Sequence, residues 1–215
     1  MTEKKVSSLS ESVFEKIEQS ILSGEFPLGT VLTENALSKM LNVSRTPIRE
    51  AIKRLEQENL VKETPKGHVV IGVSVGDIVD IYDIRLKIEG VAMARCALNI
   101  GEEELKVLEE IIDLQEFYTS RGEADKIKST DSDFHLQIYQ NCGSEVYASI
   151  LSALHKKVQR YRKISVSDGD RARQAVIEHR EILNALKDHD ATLAEALAVK
   201  HINNAKISII GNKGE

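Results

Sequence analysis

From Asp77 to the end of the chain, apolar residues recur with a helical period that is almost uninterrupted. All strand character lies earlier, in Val31-Leu32 and in residues 60–64 and 68–72, which flank the sequence Pro-Lys-Gly. The sequence therefore predicts a mainly α-helical protein, in which an N-terminal winged helix-turn-helix precedes an antiparallel, all-helical bundle of six helices. The helices expected in the bundle are 77–99, 102–120, 123–141, 144–165, 169–187 and 190–210.

The boundary between these parts is expected at the short, weakly polar stretch Val73-Ser74-Val75-Gly76. We therefore predict a winged helix-turn-helix domain over residues 1–72, a hinge over residues 73–76 and a helical-bundle domain over residues 77–215. The hydrophobic fraction of 41% is sufficient for a packed core in each part.

Composition excludes several classes of protein. No run of about 18 apolar residues could span a membrane, and the polar start of the chain does not resemble a secretory signal. Cys96 and Cys142 lie far apart within helical patterns and indicate reduced core thiols rather than a disulfide framework. These features predict a cytoplasmic protein.

Net charge has to be divided before it is informative. Residues 1–75 hold ten basic and ten acidic side chains, whereas residues 76–215 hold nineteen and twenty-four, so the whole net charge of −5 belongs to the second part. A local basic surface in the first part is therefore compatible with an acidic chain.

The first part has the pattern of two short helices joined by a tight turn and followed by a hairpin. A helix over residues 10–23 comes first, Thr33 can cap the next, and Asn42-Val43 forms the turn. Ser44-Arg45-Thr46-Pro47 then opens the third helix, where proline is tolerated in the first turn. This order predicts a winged helix-turn-helix.

The third helix combines an apolar stripe with a cationic stripe. Apolar residues are spaced four and three apart and face the core, and basic residues recur every four positions on the adjoining face. The two sets are Ile48, Ile52 and Leu55, and Arg45, Arg49 and Lys53. A cationic face is often simply solvated, but an arginine there can also donate two hydrogen bonds to guanine O6 and N7. We predict DNA contacts from Thr33, Ser44, Arg45, Thr46, Arg49, Lys53, Lys66, Gly67 and His68.

The segment from Thr33 to Val61, and above all Ser44-Arg45-Thr46-Pro47-Ile48-Arg49-Glu50-Ala51, resembles the winged-helix domain of the GntR family of bacterial transcription regulators. The resemblance implies that Arg45 and Arg49 contact operator DNA and that the wing glycine, Gly67, approaches the minor groove. The chain departs from the family pattern at Asn35, where members often carry a DNA-contacting arginine, and at Asn59, where they often carry glycine.

The second part places several polar residues on apolar helical faces. Asp131 and His135 are four residues apart on one face. His179 precedes the turn at Asp190 by about as many residues as His201 follows it, so the two histidines should lie level across an antiparallel pair. Each histidine alone is most simply a satisfied core residue. Together with Asp131, they form a ligand set that suits a divalent ion such as Zn, Ni or Mn.

Arg85 lies on the inner stripe of the first bundle helix, and a buried guanidinium requires a partner. That partner is an internal acid such as Glu89, or the carboxylate of an effector. His155 is interpreted as a core or pocket-wall residue, and His189 as a solvated turn residue. The remaining candidates for core or cavity wall are Tyr82, Tyr139 and Tyr161.

The segments 131–135, 178–186 and 200–202 look like the FCD ligand-binding domain of the FadR subfamily, in its shorter VanR-like version. The resemblance implies that Asp131, His135, His179 and His201 hold a divalent metal that a small organic acid coordinates.

The sequence thus predicts a metabolite-responsive transcription regulator that is a homodimer on inverted-repeat DNA, in most such families a repressor. Two alternatives remain open at this point. One is a helical metal hydrolase tethered to DNA, against which no general base or nucleophile is recognised beside the ligands, so we expect no enzyme activity. The other is an architectural DNA-binding protein with a structural metal.

Overall fold

The computed structural model describes residues 9–158 and 169–211, and the chain forms two compact units, Met1–Ser74 and Val75–Glu215. No helix of the described residues is long and apolar enough to cross a bilayer. The first unit contains the helices α1 (Leu9–Ser23), α2 (Glu34–Leu41) and α3 (Arg45–Gln57) and the strands β1 (Val31–Leu32), β2 (Val61–Thr64) and β3 (Gly67–Val70).

The helix-turn-helix is fixed by local hydrogen bonds. Thr33 caps α2, since its Oγ1 accepts a hydrogen bond from the amide of Ala36. Asn42 ends α2 in the left-handed region at φ 53°, and the Ser38 hydroxyl donates to the carbonyl of Val43 at 2.5 Å. Asn59 also adopts a left-handed conformation, at φ 56°. An asparagine therefore suffices where glycine is usual in the family.

The core of this unit consists of the apolar stripes that the sequence indicated. The largest of its fully buried side chains are Ile17, Leu37, Ile48, Leu55 and Leu60, each at most 1% exposed. The strands form a three-stranded antiparallel sheet in the order β1-β3-β2, in which Val31 pairs with Val69 and Val61 with Val70. The sequence predicted only the β2–β3 hairpin, because two residues of β1 carry too little alternation to indicate a pairing partner.

The second unit contains the helices α4 (Val75–Asn99), α5 (Glu102–Arg121), α6 (Ala124–Gln140), α7 (Glu145–Lys157), α8 (Gly169–Lys187) and α9 (Ala191–Gly211). These are close to the expected ranges. The remainder of the fourth predicted helix, which includes Tyr161, falls mostly outside the described residues. Helix α4 begins at Val75, within the stretch predicted as a hinge, and Val73 packs against the core of the first unit.

Capping residues explain where α9 begins and where α5 ends, and a glycine explains the close contact between α4 and α9. Asp190 accepts a hydrogen bond from the amide of Leu193 at 2.9 Å and so starts α9, and Gly122 ends α5 at φ 68°. A Cβ at Gly90 would lie 2.9 Å from Val199 Cγ2, so this glycine permits α9 to approach α4 closely. Cys96 and Cys142 are both buried and unpaired with each other, and burial raises the pKa of the Cys96 thiol to about 12.

The wing offers a direct test of packing around Gly67. This residue has φ +127°, and a Cβ there would lie 2.7 Å from the carbonyl oxygen of Leu32 in β1. Gly67→Ala should therefore lower the free energy of unfolding of the first unit by about 1–3 kcal/mol. Urea unfolding measures this. Gly29→Ala is the matched control, because Gly29 has φ +85° but nothing within 4 Å of its Cβ position. Equal losses in both variants would mean that the contact with β1 does not matter.

Candidate functional site

The third helix presents its basic residues to solvent. Arg45, Arg49 and Lys53 are exposed on α3, while Ile48, Ile52 and Leu55 on its other side are buried. Ser44 precedes the helix without a side-chain capping bond, and Thr46 is exposed in its first turn. Lys66 lies in the tight turn between β2 and β3 and is exposed. The arrangement matches the predicted cationic surface, and contact of these residues with DNA stays a prediction.

Two of the predicted DNA-contacting residues have partners that the sequence did not indicate. Arg49 donates from Nε to Glu34 Oε1 at 2.9 Å and from Nη2 to Glu34 Oε2 at 3.0 Å. The half-buried imidazole of His68 has its Nε2 3.5 Å from Glu56 Oε1 on α3. The wing histidine therefore lies against the body of the domain rather than extending from it.

In the helical unit, three buried histidines meet. The Nε2 atom of His201 lies 3.3 Å from that of His135 and 3.4 Å from that of His179. All three side chains are at most 3% exposed, and ligand atoms from the three lie within 4.8 Å of one another. His135 comes from α6, His179 from α8 and His201 from α9, so three helices supply one imidazole each. We call this group the histidine triad.

Asp131, the fourth predicted ligand, lies beside the triad. Its Oδ1 is 3.8 Å from Nε2 of His179, and the side chain is buried. It is not part of the group whose ligand atoms all lie within 4.8 Å of one another. The structure therefore brings three of the four predicted ligands together and places the carboxylate at the edge of the group.

Each imidazole is oriented by an oxygen acceptor behind it. Nδ1 of His135 lies 3.1 Å from Glu89 Oε1, Nδ1 of His179 lies 2.8 Å from Gln115 Oε1, and Nδ1 of His201 lies 2.7 Å from Glu178 Oε2. A carboxylate or amide oxygen can only accept, so these contacts place the ring protons on Nδ1. The Nε2 lone pairs are left facing one another.

The donor set fits a divalent cation. Three Nε2 lone pairs at these separations repel one another unless a cation lies between them. Two nitrogen ligands of a tetrahedral zinc ion, each about 2.0–2.1 Å from it, lie roughly 3.3–3.4 Å apart, which matches the distances from His201 Nε2 to those of His135 and His179. Burial lowers the pKa of His135, although Glu89 partly opposes this, and that favours the neutral ligand form.

A second charged network lies behind His135. The guanidinium of Arg85 donates from Nε to Glu89 Oε2 at 2.8 Å and from Nη2 to Oε1 at 3.2 Å. The Tyr139 hydroxyl donates to the same Oε1 at 2.8 Å. Burial opposes ionisation of Glu89, but Arg85 and His135 outweigh it and hold the pKa of this carboxyl well below its usual value. Of the two partners that the sequence allowed for Arg85, the structure therefore provides the internal acid.

Two polar groups on α4, in or next to this network, remain without a hydrogen bond to any described residue. They are Nη1 of Arg85 and the hydroxyl of Tyr82, and both side chains are completely buried. The ring of Tyr82 lies 4.9 Å from the Arg85 guanidinium carbon, so the two groups are neighbours. Buried donors without an acceptor are costly, and these two are able to bind an oxygen acceptor.

Sequence reasoning missed Gln115 and Glu178. Gln115 shares the inner stripe of α5 with Leu108 and Ile112, and a polar residue on such a stripe is the signal that could have found it. Glu178 accepts hydrogen bonds from Arg171 at 2.9 Å and from Asn204 at 2.7 Å as well as facing His201. Its proximity to His179 in sequence gave no indication that it serves a different histidine.

The remaining histidines agree in part with expectation. His155 is 1% exposed, and its ring centre is 5.3 Å from that of His135, as expected for a core or wall residue; burial lowers its pKa well below the usual value. His189 lies exposed in the turn before α9, but its Nδ1 is 2.7 Å from the carbonyl oxygen of Ala97. It therefore has a protein partner as well as solvent.

The Arg85–Glu89 pair should respond to substitution as a buried ion pair. Glu89→Gln leaves a buried guanidinium uncompensated, and we expect it to lower the free energy of unfolding by about 3–5 kcal/mol. The double variant Arg85→Met/Glu89→Gln removes both charges and should recover most of that loss. Urea unfolding in the presence of a chelator makes the comparison free of metal. A double variant as unstable as Glu89→Gln alone would show that charge is not the cause.

Comparison with known proteins assigns each of the two units to a protein family. Residues 9–71 match the model of the gntR family of bacterial regulatory proteins, and residues 80–204 match that of the FCD domain. An uncharacterized HTH-type transcriptional regulator of Bacillus subtilis, YdhC, is 27% identical over 192 residues, which are 88% of this chain and 86% of YdhC. The gluconate operon transcriptional repressor of Bacillus licheniformis is 30% identical over 151 residues, which are 70% of this chain and 62% of the repressor.

The fold agrees with these matches. The solved structure of Escherichia coli McbR/YncC superposes with a TM-score of 0.82 at 20% identity and covers 96% of this chain and 99% of that one. The similar proteins named here are regulators rather than enzymes, in agreement with the expectation from the sequence. The winged helix, the helical unit and the two family matches together show that this chain belongs to the GntR family of bacterial transcription regulators, in the branch that carries an FCD domain.

Proposed function

We propose that this regulator senses a small organic acid at a divalent metal centre in the helical unit and that the acid alters its affinity for operator DNA. The observation that carries the proposal is the orientation of the histidine triad, in which three oxygen acceptors turn three Nε2 lone pairs toward one point. An arrangement that buries this much polar surface without a bound cation would be costly.

His135, His179 and His201 would hold the ion, with Asp131 completing the set. A divalent ion such as Zn, Ni or Mn would supply an electrophilic centre to which a carboxylate oxygen can bind. Glu89, Gln115 and Glu178 keep the imidazoles in the ligating tautomer. A structural zinc centre of the common closed type uses four cysteine or histidine ligands, whereas this set has three histidines and a carboxylate.

Arg85 and Tyr82 support a role in holding the acid. The charge of Arg85 is already balanced by Glu89, but Nη1 is still able to donate, and the Tyr82 hydroxyl lies nearby. A carboxylate or hydroxyl oxygen of the ligand would therefore gain hydrogen bonds without requiring that the buried ion pair be broken. We propose that these two side chains, together with the metal, form the effector site.

The position of Arg85 offers a route from this site to DNA. Arg85 lies on α4, which begins at Val75, one residue after the end of the DNA-binding unit. An effector that pulls on Arg85 therefore acts on the helix that continues from that unit. It can change DNA affinity only by the difference between its affinities for the two arrangements of the protein.

We further propose that the chain acts as a homodimer and as a repressor. Helix-turn-helix proteins commonly read two half-sites about one helical turn apart by means of two-fold symmetry. The similar protein from Bacillus licheniformis is named as a repressor of a gluconate operon, which supports repression but leaves the effector of this chain to experiment.

Two substitutions should separate the DNA-binding and metal-binding roles. Arg49→Ala should weaken binding to a selected operator by about 1–3 kcal/mol while leaving metal content intact. His179→Ala should abolish stoichiometric metal after dialysis against Zn, Ni or Mn, measured by mass spectrometry, because a triad ligand is lost. His189→Ala is the matched control, since His189 lies on the surface in a turn. Retention of metal by His179→Ala would rule out the triad as the site.

A thermal-shift screen of carboxylic acids tests the sensing role. An acid at about 100 times its dissociation constant should stabilise the metal-loaded protein by about 2.7 kcal/mol. The stabilisation should disappear with a chelator, and also in Arg85→Met/Glu89→Gln, which removes the guanidinium without leaving an unpaired charge. If chelation lowers stability but no acid has an effect, the metal is structural. If an acid binds and operator affinity does not change, the coupling is disproved.

A further inference from the structure

In the ion pair between Glu34 and Arg49, the carboxylate binds the edge of the guanidinium that is formed by Nε and Nη2. Nε and Nη2 of Arg49 donate to the two oxygens of the carboxylate at 2.9 and 3.0 Å. Arginine has five N–H donors in a planar fork, of which this contact uses two. Nη1 and the second N–H of Nη2 form no hydrogen bond within the described residues. One N–H of Nη1 and this second N–H of Nη2 make up the end of the fork, and these two N–H bonds point away from the carboxylate.

Both residues are anchored by the helix-turn-helix itself. Glu34 is the first residue of α2, next to the cap formed by Thr33, and Arg49 lies in the second turn of α3. The bonds between Ser38 and Val43 fix the connection between the two helices. The carboxylate therefore has a defined position from which it can orient the arginine side chain.

The surroundings of Glu34 favour its charged form, and arginines are the main neighbours that stabilise this charge. Hydrogen bonds from Arg49 lower the pKa of Glu34, and the positive charge of Arg45 acts in the same direction. The Arg49 side chain is 70% exposed, and that of Glu34 is 30% exposed. An exposed ion pair of this kind contributes little to folding stability, so the pair is poorly explained by stability alone.

We propose that Glu34 is a positioning residue for operator recognition. It holds the Nε–Nη2 edge of the Arg49 guanidinium, so that the Nη1–Nη2 edge meets guanine O6 and N7. The inference rests on the DNA-binding half of the proposed function. An exposed arginine would otherwise lose much rotamer freedom on binding. Because Glu34 orients the Arg49 side chain before DNA binds, the bidentate contact with guanine forms with a smaller loss of conformational entropy. Its negative charge also disfavours a shift of Arg49 toward a neighbouring phosphate, where it would carry no sequence information.

Selection from duplexes that contain a randomised inverted repeat, followed by sequencing, measures the base preference at every position. It is performed on the full chain without added acid. Arg49→Ala identifies the position that Arg49 reads. Glu34→Gln, which keeps the size of the side chain but removes the charge, should lower the preference for guanine at that same position by about fivefold or more. The double variant Glu34→Gln/Arg49→Ala should show no further loss of guanine preference at that position compared with Arg49→Ala alone.

Glu63→Gln is the matched control, since Glu63 is an exposed acid of the same DNA-binding unit that lies on β2 rather than beside Arg49. It should leave the base preferences unchanged, and affinity for non-cognate duplex should change similarly in both Gln variants. Thermal unfolding confirms that each variant is folded. Unchanged guanine preference in Glu34→Gln would overturn the proposal. Loss of a cytosine preference at another position would also overturn it, because Glu34 would then read a base itself. If Arg49→Ala changes no preference, the proposed role of α3 in base recognition fails as well.

Discussion

The helical unit depends on one constraint, which is that every imidazole of the triad has an oxygen acceptor at Nδ1. A neutral imidazole has one donor and one acceptor nitrogen, so fixing the donor also fixes the direction of the acceptor. The three acceptors come from α4, α5 and α8, while the three imidazoles come from α6, α8 and α9. Five of the six described helices of the bundle thus contribute to a single cluster. A shift of any one of them would misdirect a lone pair.

Each unit contains a glutamate–arginine ion pair, which is buried in the helical unit and exposed in the DNA-binding unit. Arg85–Glu89 is completely buried, so both partners are required to balance each other and removal of either is costly. Arg49–Glu34 has the same bidentate geometry on the surface, where water can replace either partner and the contribution to stability is small. The buried pair maintains the orientation of His135. The exposed pair leaves the Nη1–Nη2 edge of its arginine free of Glu34, and this is the edge that the proposed contact with guanine would use.

Local sequence signals predicted the helices because their determinants are local. The caps at Thr33 and Asp190, the left-handed Asn59 and the apolar stripes all depend on residues within a few positions of one another. The facing positions of His179 and His201 also followed from counting residues to a shared turn. The partners of these histidines did not follow. Gln115 is 64 residues from His179, and only the packing of α5 against α8 brings them together. The pairing of Glu34 with Arg49 and the addition of β1 to the sheet depend on tertiary packing in the same way.

The connection between the two units limits how the proposed sensing of an acid would operate. Helix α4 carries Arg85 and Glu89 near its middle, and it starts directly after the DNA-binding unit, with no room for a long flexible linker. Arg85 lies ten residues beyond the start of α4, or about 15 Å along a helix of about 1.5 Å rise per residue. A helix of that length carries a displacement of Arg85 to its own first turn at Val75, where the chain leaves the first unit. If the proposed acid binds, the direction of the change in DNA affinity depends on which arrangement it binds more tightly. Tight binding alone is not sufficient, because a ligand with equal affinity for both arrangements changes neither population.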